Sequence, residues 1–270
     1  DGDLVCHWCG CRMPLPKECP NCHSEHLARM GFGTQRVEEE LQTLLPKSNI
    51  LRMDTDTTTT KFAYDELLGR FRAHEADVLL GTQMVTKGHD FPDVTLVCVL
   101  LADASLYLDD YRAAERTFAM LTQVIGRAGR ADKEGMAVIQ TNNPDSEVIR
   151  LASLQDYESF YEREIRLRKL LTFPPFCDIA LFTIVSQDEN ELMLACKRFH
   201  EDFKVRAKKE YPDLPLVVFG PFEAPVYKVD GKYRMRLVIK CRLNKRSREL
   251  FSKILVRFGK DGAKAPVLGI

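Results

Sequence analysis

The chain has 270 residues, of which 45% are apolar and 29% are charged, and its 39 basic side chains balance its 39 acidic ones. This composition is typical of a globular protein and excludes a disordered or collagen-like chain. The longest apolar run, Val94–Ala102, is roughly half of what a membrane span needs, so we expect no transmembrane helix and no membrane partner. No basic and apolar leader opens the chain, so no secretory signal is predicted. A chain that starts at Asp1 is expected to be a piece of a longer one.

The first 30 residues are rich in cysteine and histidine, and nothing in them can build an apolar core. Their cysteines include two knuckles, Cys6-x2-Cys9 and Cys19-x2-Cys22, a spacing at which four thiolates can surround one tetrahedral zinc ion. A closed site of this kind is structural, because it leaves no position for a reactive water. The alternative is a redox pair or a coincidence. Residues 1–30 are therefore predicted to be a zinc-knuckle segment.

The four cysteines beyond residue 22 lie singly in apolar segments: Cys98, Cys177, Cys196 and Cys241. This placement is typical of buried thiols in a reducing compartment, so a cytoplasmic location is expected.

From Gly31 onwards, strand and helix patterns alternate. Apolar residues at helical spacing predict helices, and short apolar runs predict strands buried on both faces of a parallel sheet. The predicted helices are 37–45, 62–74 and 111–125, and the predicted strands are 50–53, 78–80, 94–101 and 135–140. This alternation predicts an α/β domain over residues 31–144.

The end of the third predicted helix carries Gln123-Val-Ile-Gly-Arg-Ala-Gly-Arg130. Arg127 and Arg130 are three residues apart and would share a face of a helical turn, with glycines beside them that leave room for a phosphate tail. Arginine contacts phosphate oxygens with two parallel hydrogen bonds and stays charged. The alternative is an ordinary helix end with cations near its carboxyl terminus. The combined pattern favours a phosphate-binding function.

A second polar segment, Gly81–Pro92, follows the predicted strand 78–80, at the end where open α/β sheets bind ligands. Thr82, Gln83 and Lys87 offer donors suited to a phosphate backbone, while Gly88 permits close approach and Asp90 can orient an arginine or a ribose. A polar loop after a strand is the alternative, but the arginine motif in the same domain favours a binding function.

Residues 144–171 read as a charged connecting helix that ends at Phe173-Pro-Pro-Phe176. After it, the patterns predict strand 178–185, helix 189–209, strands 216–219 and 233–241, helix 246–258 and the start of a strand at 266–270. This β-α-β-β-α-β order is the ferredoxin-like order. Residues 145–270 are therefore predicted to be a linker helix and a ferredoxin-like α+β domain.

The segment from Lys228 to Lys264 holds 13 basic and 3 acidic residues, an excess of 10 positive charges in a neutral chain. Lys232, Arg234, Arg236 and Lys240 occupy even positions of one predicted strand and would project from one face, whereas the odd positions would face the core. A basic block of this kind can bind nucleic acid or an acidic protein tail. A solvated face is an equal alternative.

Together, the two polar segments resemble motifs V and VI of superfamily 2 helicases, which lie in the second RecA-like lobe. Other segments resemble the PriA family, the bacterial primosomal helicases that restart stalled replication forks. These are Gly31-Phe-Gly-Thr-Gln-Arg-Val-Glu38, Arg52-Met-Asp-Thr-Asp-Thr-Thr58 and Tyr111-Arg-Ala-x-Glu-Arg116. The resemblance spans nearly the whole chain, and the knuckles directly before the lobe are its most specific part.

The resemblance implies the carboxy-terminal part of a 3′→5′ ATP-dependent DNA helicase that recruits primosome proteins and binds the single-strand-binding protein. Gln123, Arg127 and Arg130 would sense and stabilise the γ-phosphate, Gly88 and Asp90 would lie near the nucleotide, and Thr82 would lie near the DNA backbone. Zinc would be bound by the knuckles, and ATP and Mg²⁺ by the longer protein.

The chain departs from the family pattern in what it lacks. It contains neither a Gly-x-x-x-x-Gly-Lys-[Ser/Thr] loop nor an Asp-Glu-x-His box, so it is expected to be inactive alone. In the family the knuckles draw partners from further upstream cysteines, and the last strand of this chain is expected to be cut short at Ile270. The rival hypothesis is a non-catalytic, zinc-dependent nucleic-acid-binding module. RecG, another superfamily 2 helicase, is a weaker rival, because of the knuckles.

Overall fold

The computed structural model describes residues 3–5, 12–14, 16–19, 21–25, 33–54, 57–58, 61–86, 91–129, 134–260 and 267–269. The chain divides into two compact units. The terminal unit comprises Asp1–Asn21 and Arg163–Ile270, and the middle unit comprises Cys22–Glu162. Within the described ranges, no helix combines the length and the apolar character that crossing a membrane requires.

The middle unit contains two pairs of parallel strands. Strand β3 (Ile50–Met53) pairs with β4 (Val78–Gly81), and helices α1 (Thr34–Leu44) and α2 (Lys61–Arg72) accompany them. Strand β5 (Leu96–Val99) pairs with β6 (Met136–Ile139), and helix α3 (Ala113–Ile125) lies between them in the chain. Strands β1 (Asp3–Val5) and β2 (Arg12–Pro14), which form an antiparallel pair, precede these elements in the sequence. The predicted alternation of strands and helices is confirmed.

The prediction that the 94–101 run is buried on both faces is wrong. Leu96 is 51% exposed, and exposure alternates along both β5 and β6. The inward residues Val99 and Ile139 pack against the core cluster that contains Phe118 and Leu121 of α3. Because helices cover only that face, the strands follow the two-residue alternation of a half-buried sheet.

The connecting segment forms two helices rather than the single helix that was predicted. Helix α4 (Glu147–Ser153) and helix α5 (Tyr157–Leu170) are separated at Gln155, whose φ of 54° lies in the left-handed region. The cause is burial, because α4 presents a run of apolar residues to α3 and the two belong to one core. Phe160 of α5 stacks on Phe118 with ring centroids 4.1 Å apart.

Asp103 holds the carboxyl ends of β5 and β6 together. It is buried, and it accepts hydrogen bonds from the Thr141 hydroxyl and from the backbone N–H of Asn142 at 2.6 Å. The N–H of Ala102 donates to the carbonyl of Gln140 at 3.0 Å. Burial alone would raise the pKa of Asp103, but these hydrogen bonds outweigh it and lower the pKa below its ordinary value.

The terminal unit contains a four-stranded antiparallel sheet. In chain order its elements are β7 (Asp178–Ser186), α6 (Glu189–Glu210), β8 (Val217–Val229), β9 (Lys232–Cys241), α7 (Lys245–Lys260) and β10 (Val267–Gly269). The sheet order is β10-β7-β9-β8. Strand β8 is longer than the predicted 216–219, because register shifts after Phe219 and Glu223 let this edge strand pass Pro221, which has no N–H to donate.

One face of this sheet is covered by both helices. Phe182 of β7 is fully buried, and its ring centroid lies 5.4 Å from that of Phe199 in α6 and 5.3 Å from that of Phe251 in α7. Asp188 caps α6, because its Oδ1 accepts from the N–H of Glu191 at 2.8 Å. On β9, the prediction that the odd positions face the core is confirmed for Met235, Leu237 and Ile239.

Two leucines of α6 provide a matched test of this packing. Leu192 is fully buried against the sheet, whereas Leu194 is 57% exposed. Leu192→Ala should lower the free energy of unfolding by about 2–5 kcal/mol, because it leaves a cavity in the core. Leu194→Ala should change it by no more than about 0.5 kcal/mol. Urea unfolding followed by circular dichroism measures both, and equal effects would contradict the assignment of the covered face.

The lowered pKa of Asp103 predicts how stability depends on pH. A carboxylate whose folded-state pKa lies below its unfolded value of 3.8 stabilises the fold above that pH, and the contribution is lost as the pH falls through the folded-state pKa. Asp103→Asn should therefore cost about 1–3 kcal/mol at neutral pH and should flatten the loss of stability in acid. The exposed Asp145 provides the control, Asp145→Asn. Urea unfolding at pH 7 and at about pH 2 tests this, because the loss occurs below pH 3.8, and a wild-type pH dependence in Asp103→Asn would contradict it.

Candidate nucleotide and nucleic-acid sites

Helix α3 positions two of the predicted phosphate-binding residues. Its buried face includes Phe118, Leu121 and Val124, so Gln123 lies on the exposed face. Past the last turn, Arg127 is half-buried, and its backbone N–H donates to the carbonyl of Val124 at 3.0 Å. Arg130 lies outside the described residues. The helix end therefore presents one amide and one guanidinium from a well-packed element.

The glycine at position 129 is required by the chain itself. Gly129 has a φ of 65°, and its N–H donates to the carbonyl of Val94 at 3.0 Å. A Cβ at this position would lie 2.1 Å from the backbone nitrogen of Gly135. Only glycine fits this approach of two backbone segments. The sequence-based interpretation assigned the space beside the glycines to a phosphate, whereas at Gly129 the chain's own backbone occupies it.

The segment after β4 contacts α3. A short 3₁₀ helix covers Gln83–Thr86, and the side-chain amide of Gln83 donates to the Sδ of Met120 on α3 at 3.6 Å. Thr82 and Gln83 are both exposed. Because Gln123 follows Met120 by nearly one helical turn, Gln83 and Gln123 border the same surface of α3. Lys87, Gly88 and Asp90 lie outside the described residues.

A charged network at the carboxyl end of β3 was not predicted. Arg52 lies 3.0 Å from the Oε2 of Glu38 and 3.2 Å from the Oδ2 of Asp54. The buried Asp54 also accepts from the hydroxyl of Thr34 and from the N–H of Thr57. Burial would raise the pKa of Asp54, but the hydrogen bonds from the two threonines and the charge of Arg52 lower it. An aspartate followed by threonines after a strand was the available signal for this turn.

A second unpredicted ion pair fixes the start of α3. The carboxylate of Asp110 lies 2.8 Å from Arg116 and 3.2 Å from Arg112, and it accepts from the N–H of Arg112 at 2.9 Å. Burial opposes ionisation, but these contacts lower the pKa of Asp110. The segment Tyr111–Arg116, which resembles the helicase family, therefore orients α3. Gln123 lies near the other end of this helix, and Arg127 follows that end.

The zinc prediction falls largely outside the described residues. Cys6 and Cys9 are not among them, whereas Cys19 is half-buried and Cys22 is exposed. Within the described ranges, no group of three or more histidine, cysteine or acidic side chains is placed to hold a metal. Two thiolates cannot complete a tetrahedral site alone, so the four-cysteine zinc site stays a prediction.

The cations of β9 do not all have the same role. Lys232 is exposed, and Arg234 and Arg236 are half-buried on the face away from the helices. Lys240 instead donates to the carbonyl of Leu171 at 2.7 Å, and its Nζ lies 3.7 Å from the centroid of the Phe173 ring. Lys240 therefore differs from the other cations of this face, because its charge fastens the turn before β7.

Two family descriptions match separate parts of the chain. "Helicase conserved C-terminal domain" matches residues 29–132, and "Primosomal protein N C-terminal domain" matches residues 169–265. The first match and the parallel strands of the middle unit agree with an α/β helicase lobe.

Curated relatives named "Replication restart protein PriA" align with most of the chain. The Bacillus subtilis protein is 41% identical over 258 residues, which cover 96% of this chain and 31% of the relative. The Treponema pallidum protein is 38% identical over 89% of this chain and 36% of its own length. The Haemophilus influenzae protein is 37% identical over 87% of this chain and 32% of its own length. The chain thus spans about a third of the length of these relatives, and over most of its own length it is similar to the PriA family.

Proposed function

We propose that this chain is the carboxy-terminal part of an ATP-dependent 3′→5′ DNA helicase that restarts replication at stalled forks. The contact between Gln83 and Met120 carries the proposal, because it joins a polar segment suited to DNA to the helix that carries Gln123 and Arg127. A binding module would need cations but not the Gln-x-x-Gly-Arg-x-Gly-Arg pattern. That alternative is therefore not favoured.

In this proposal, Arg127 stabilises the charge that develops on the transferred phosphoryl group, and Gln123 orients the groups around it. Phosphoryl transfer is catalysed mainly by positioning and by fixed charges, which suits a half-buried guanidinium at the end of a packed helix. Arg130, Gly88 and Asp90 are assigned to the same nucleotide site by their place in the motifs. Mg²⁺ bound with ATP would neutralise phosphate charge. The residues that would hold this ion are not in this chain.

The proposed DNA contacts adjoin the nucleotide site. Thr82, Gln83 and Lys87 would contact the phosphate backbone of a DNA strand. Because Gln83 contacts α3, a shift of the 3₁₀ helix on DNA binding would also move α3, which carries Gln123 and leads into Arg127. This contact is a direct physical link between DNA binding and ATP hydrolysis.

The terminal unit is proposed to be a ferredoxin-like domain. The element order β7-α6-β8-β9-α7-β10, with the sheet order β10-β7-β9-β8, supports this assignment. The proposed domains are residues 1–30, 31–144 and 145–270, and α4 and Phe160 in the first part of the last domain pack in the core of the middle unit. Single-strand-binding protein and other primosome proteins are the proposed partners, and the proposed location is the cytoplasm.

The amino-terminal segment is proposed to hold a structural zinc ion through Cys6, Cys9, Cys19 and Cys22. The antiparallel pair β1 and β2 supports this, because Cys6 and Cys9 lie between these strands in the sequence. Thiolates at Cys-x2-Cys spacing have the chemistry that zinc prefers, and the metal would order a segment too short to form a core.

The nucleotide role predicts a selective loss of hydrolysis. In the protein that also carries the ATP-binding lobe, Arg127→Ala should lower kcat for ATP by about 10³-fold or more, the scale of an arginine finger. DNA affinity should change little, because the side chain serves the nucleotide. The control is Arg150→Ala, since Arg150 is exposed and pairs with Glu147 on α4. DNA-stimulated phosphate release and DNA binding are measured together, and loss of DNA binding with intact hydrolysis would contradict the role. The 270-residue chain alone should give no turnover.

The zinc proposal predicts a local effect. Cys19→Ser should lower the zinc content of the purified chain while the middle unit stays folded, because that unit has its own core. The exposed Cys98 provides the control, Cys98→Ser, which should keep the wild-type zinc content. Metal analysis and circular dichroism test this. A folded wild-type chain without zinc would refute a site made by these four cysteines alone.

A further inference from the structure

The sheet of the terminal unit has a second face that carries apolar and basic side chains together. Strand pairing places Leu181, Val238 and Phe219 in one cross-strand row, and Thr183, Arg236 and Phe222 in the next. These positions alternate with the core-facing residues Phe182, Leu237 and Ile239, so they lie on the side away from α6 and α7. We call the set Leu181, Val217, Phe219, Phe222, Arg234 and Arg236 the open sheet face.

Large apolar side chains are exposed on this face. Phe222 is 48% exposed, Val217 is 54% exposed, and Phe219 and Leu181 are each 39% exposed. A phenylalanine ring on a strand that has a complete core on its other side adds little to folding. Exposed apolar groups gathered on one surface, rather than scattered, mark a binding surface.

One end of the face is closed and the other is open. At the closed end, Lys240 holds the turn that contains Phe173, and its Nζ lies 5.4 Å from the centroid of the Phe219 ring. Arg242 donates to the carbonyl of Pro175 at 3.3 Å in the same turn. The Phe222 and Arg236 row and the following Arg234 lie further along β9, away from this turn. A ligand would therefore enter from the end that carries the arginines.

We propose that the open sheet face binds single-stranded DNA, with unpaired bases stacked on Phe219 and Phe222 and with phosphates contacted by Arg234 and Arg236. This inference rests on the proposed function, which assigns DNA to the protein. The two rings lie in adjacent rows, roughly 7 Å apart along β9, so each can take one of two neighbouring bases of an extended strand. Stacking on these rings needs an unpaired base with a free face. Duplex DNA cannot supply such a base, because its bases already stack on each other.

The charge of the surroundings favours a polyanion over a protein partner. Residues 228–264 carry 13 basic and 3 acidic side chains, and β9 contributes Lys232 next to the arginines. Lysine is depleted in protein interfaces, whereas single-strand binding combines a basic surface with aromatic platforms. An acidic peptide is the competing occupant and is an arm of the test.

Fluorescence binding titrations on the 270-residue chain test the proposal. The probes are a labelled oligothymidine, a duplex of equal length and an acidic peptide, and a 2-aminopurine base reports stacking. Phe222→Leu and Phe219→Leu keep apolar bulk but remove the ring, and each should weaken single-strand binding about 10-fold with little change for the duplex. The control Phe62→Leu, at an 86% exposed ring of the middle unit, should bind like the wild type.

Charge reversal provides the second arm. Arg234→Glu and Arg236→Glu should each weaken binding and lower the dependence of log affinity on log salt by about 0.7. The control is Arg198→Glu, because Arg198 is an exposed residue of α6, on the other side of the sheet. Circular dichroism verifies that each variant is folded.

The outcomes separate this inference from the proposed function. If the arginine variants lose DNA and the phenylalanine variants do not, the stacking platform is refuted while DNA binding by β9 stands. If only the acidic peptide is lost, the face is a protein-docking surface and the inference is refuted. If the wild type binds no single strand at low salt, both the inference and the assigned role of β9 in DNA binding fall. The ATPase assay on Arg127→Ala is independent of all three results.

Discussion

Burial of one face of α3 is the interaction on which the middle unit depends. Phe118 and Leu121 pack with α4, with Phe160 and with the inward residues of β5 and β6. This packing fixes the rotation of the helix, so that Met120, which is partly buried against the same core, also contacts the 3₁₀ helix, while Gln123 faces solvent. The ion pairs of Asp110 hold the beginning of the same helix, and the Gly129 turn holds the segment beyond its end. A substitution in the core would therefore displace polar groups that make no apolar contact themselves.

The sequence predicted those parts of the fold that depend on local periodicity. Alternation along β9 assigned Met235, Leu237 and Ile239 to the core, because a strand has only two faces. Periodicity failed where burial depends on distant segments. The run that became β5 looks the same whether one or two layers cover it, and its outer face is exposed at Leu96. The division of the connecting segment into α4 and α5 was not predicted, because its many charged residues indicated a solvated helix although α4 has apolar residues that pack on α3.

The candidate sites divide in the same way. The positions of Gln123 and Arg127 at a helix end followed from the motif, and the structure places both there. The contacts that support the candidate sites join residues that are far apart in the chain. Gln83 and Met120 are 37 residues apart, and Lys240 and Leu171 are 69 residues apart. No local pattern indicates such pairs, so the sequence could suggest that Lys240 is a cation but not that its charge already has a structural partner.

The two proposed phosphate-binding surfaces use different physical means, and the difference suits the helicase function proposed above. Arg127 lies half-buried at the end of a packed helix, where fixed geometry favours one arrangement of phosphate oxygens. The open sheet face instead offers two exposed rings and several cations on a regular lattice. Stacking tolerates any base because every base has an aromatic face, and phosphates repeat at each nucleotide. A surface of this kind can hold a strand at one position and accept the next nucleotide with equal affinity, whereas the proposed nucleotide site would have to distinguish ATP from its products.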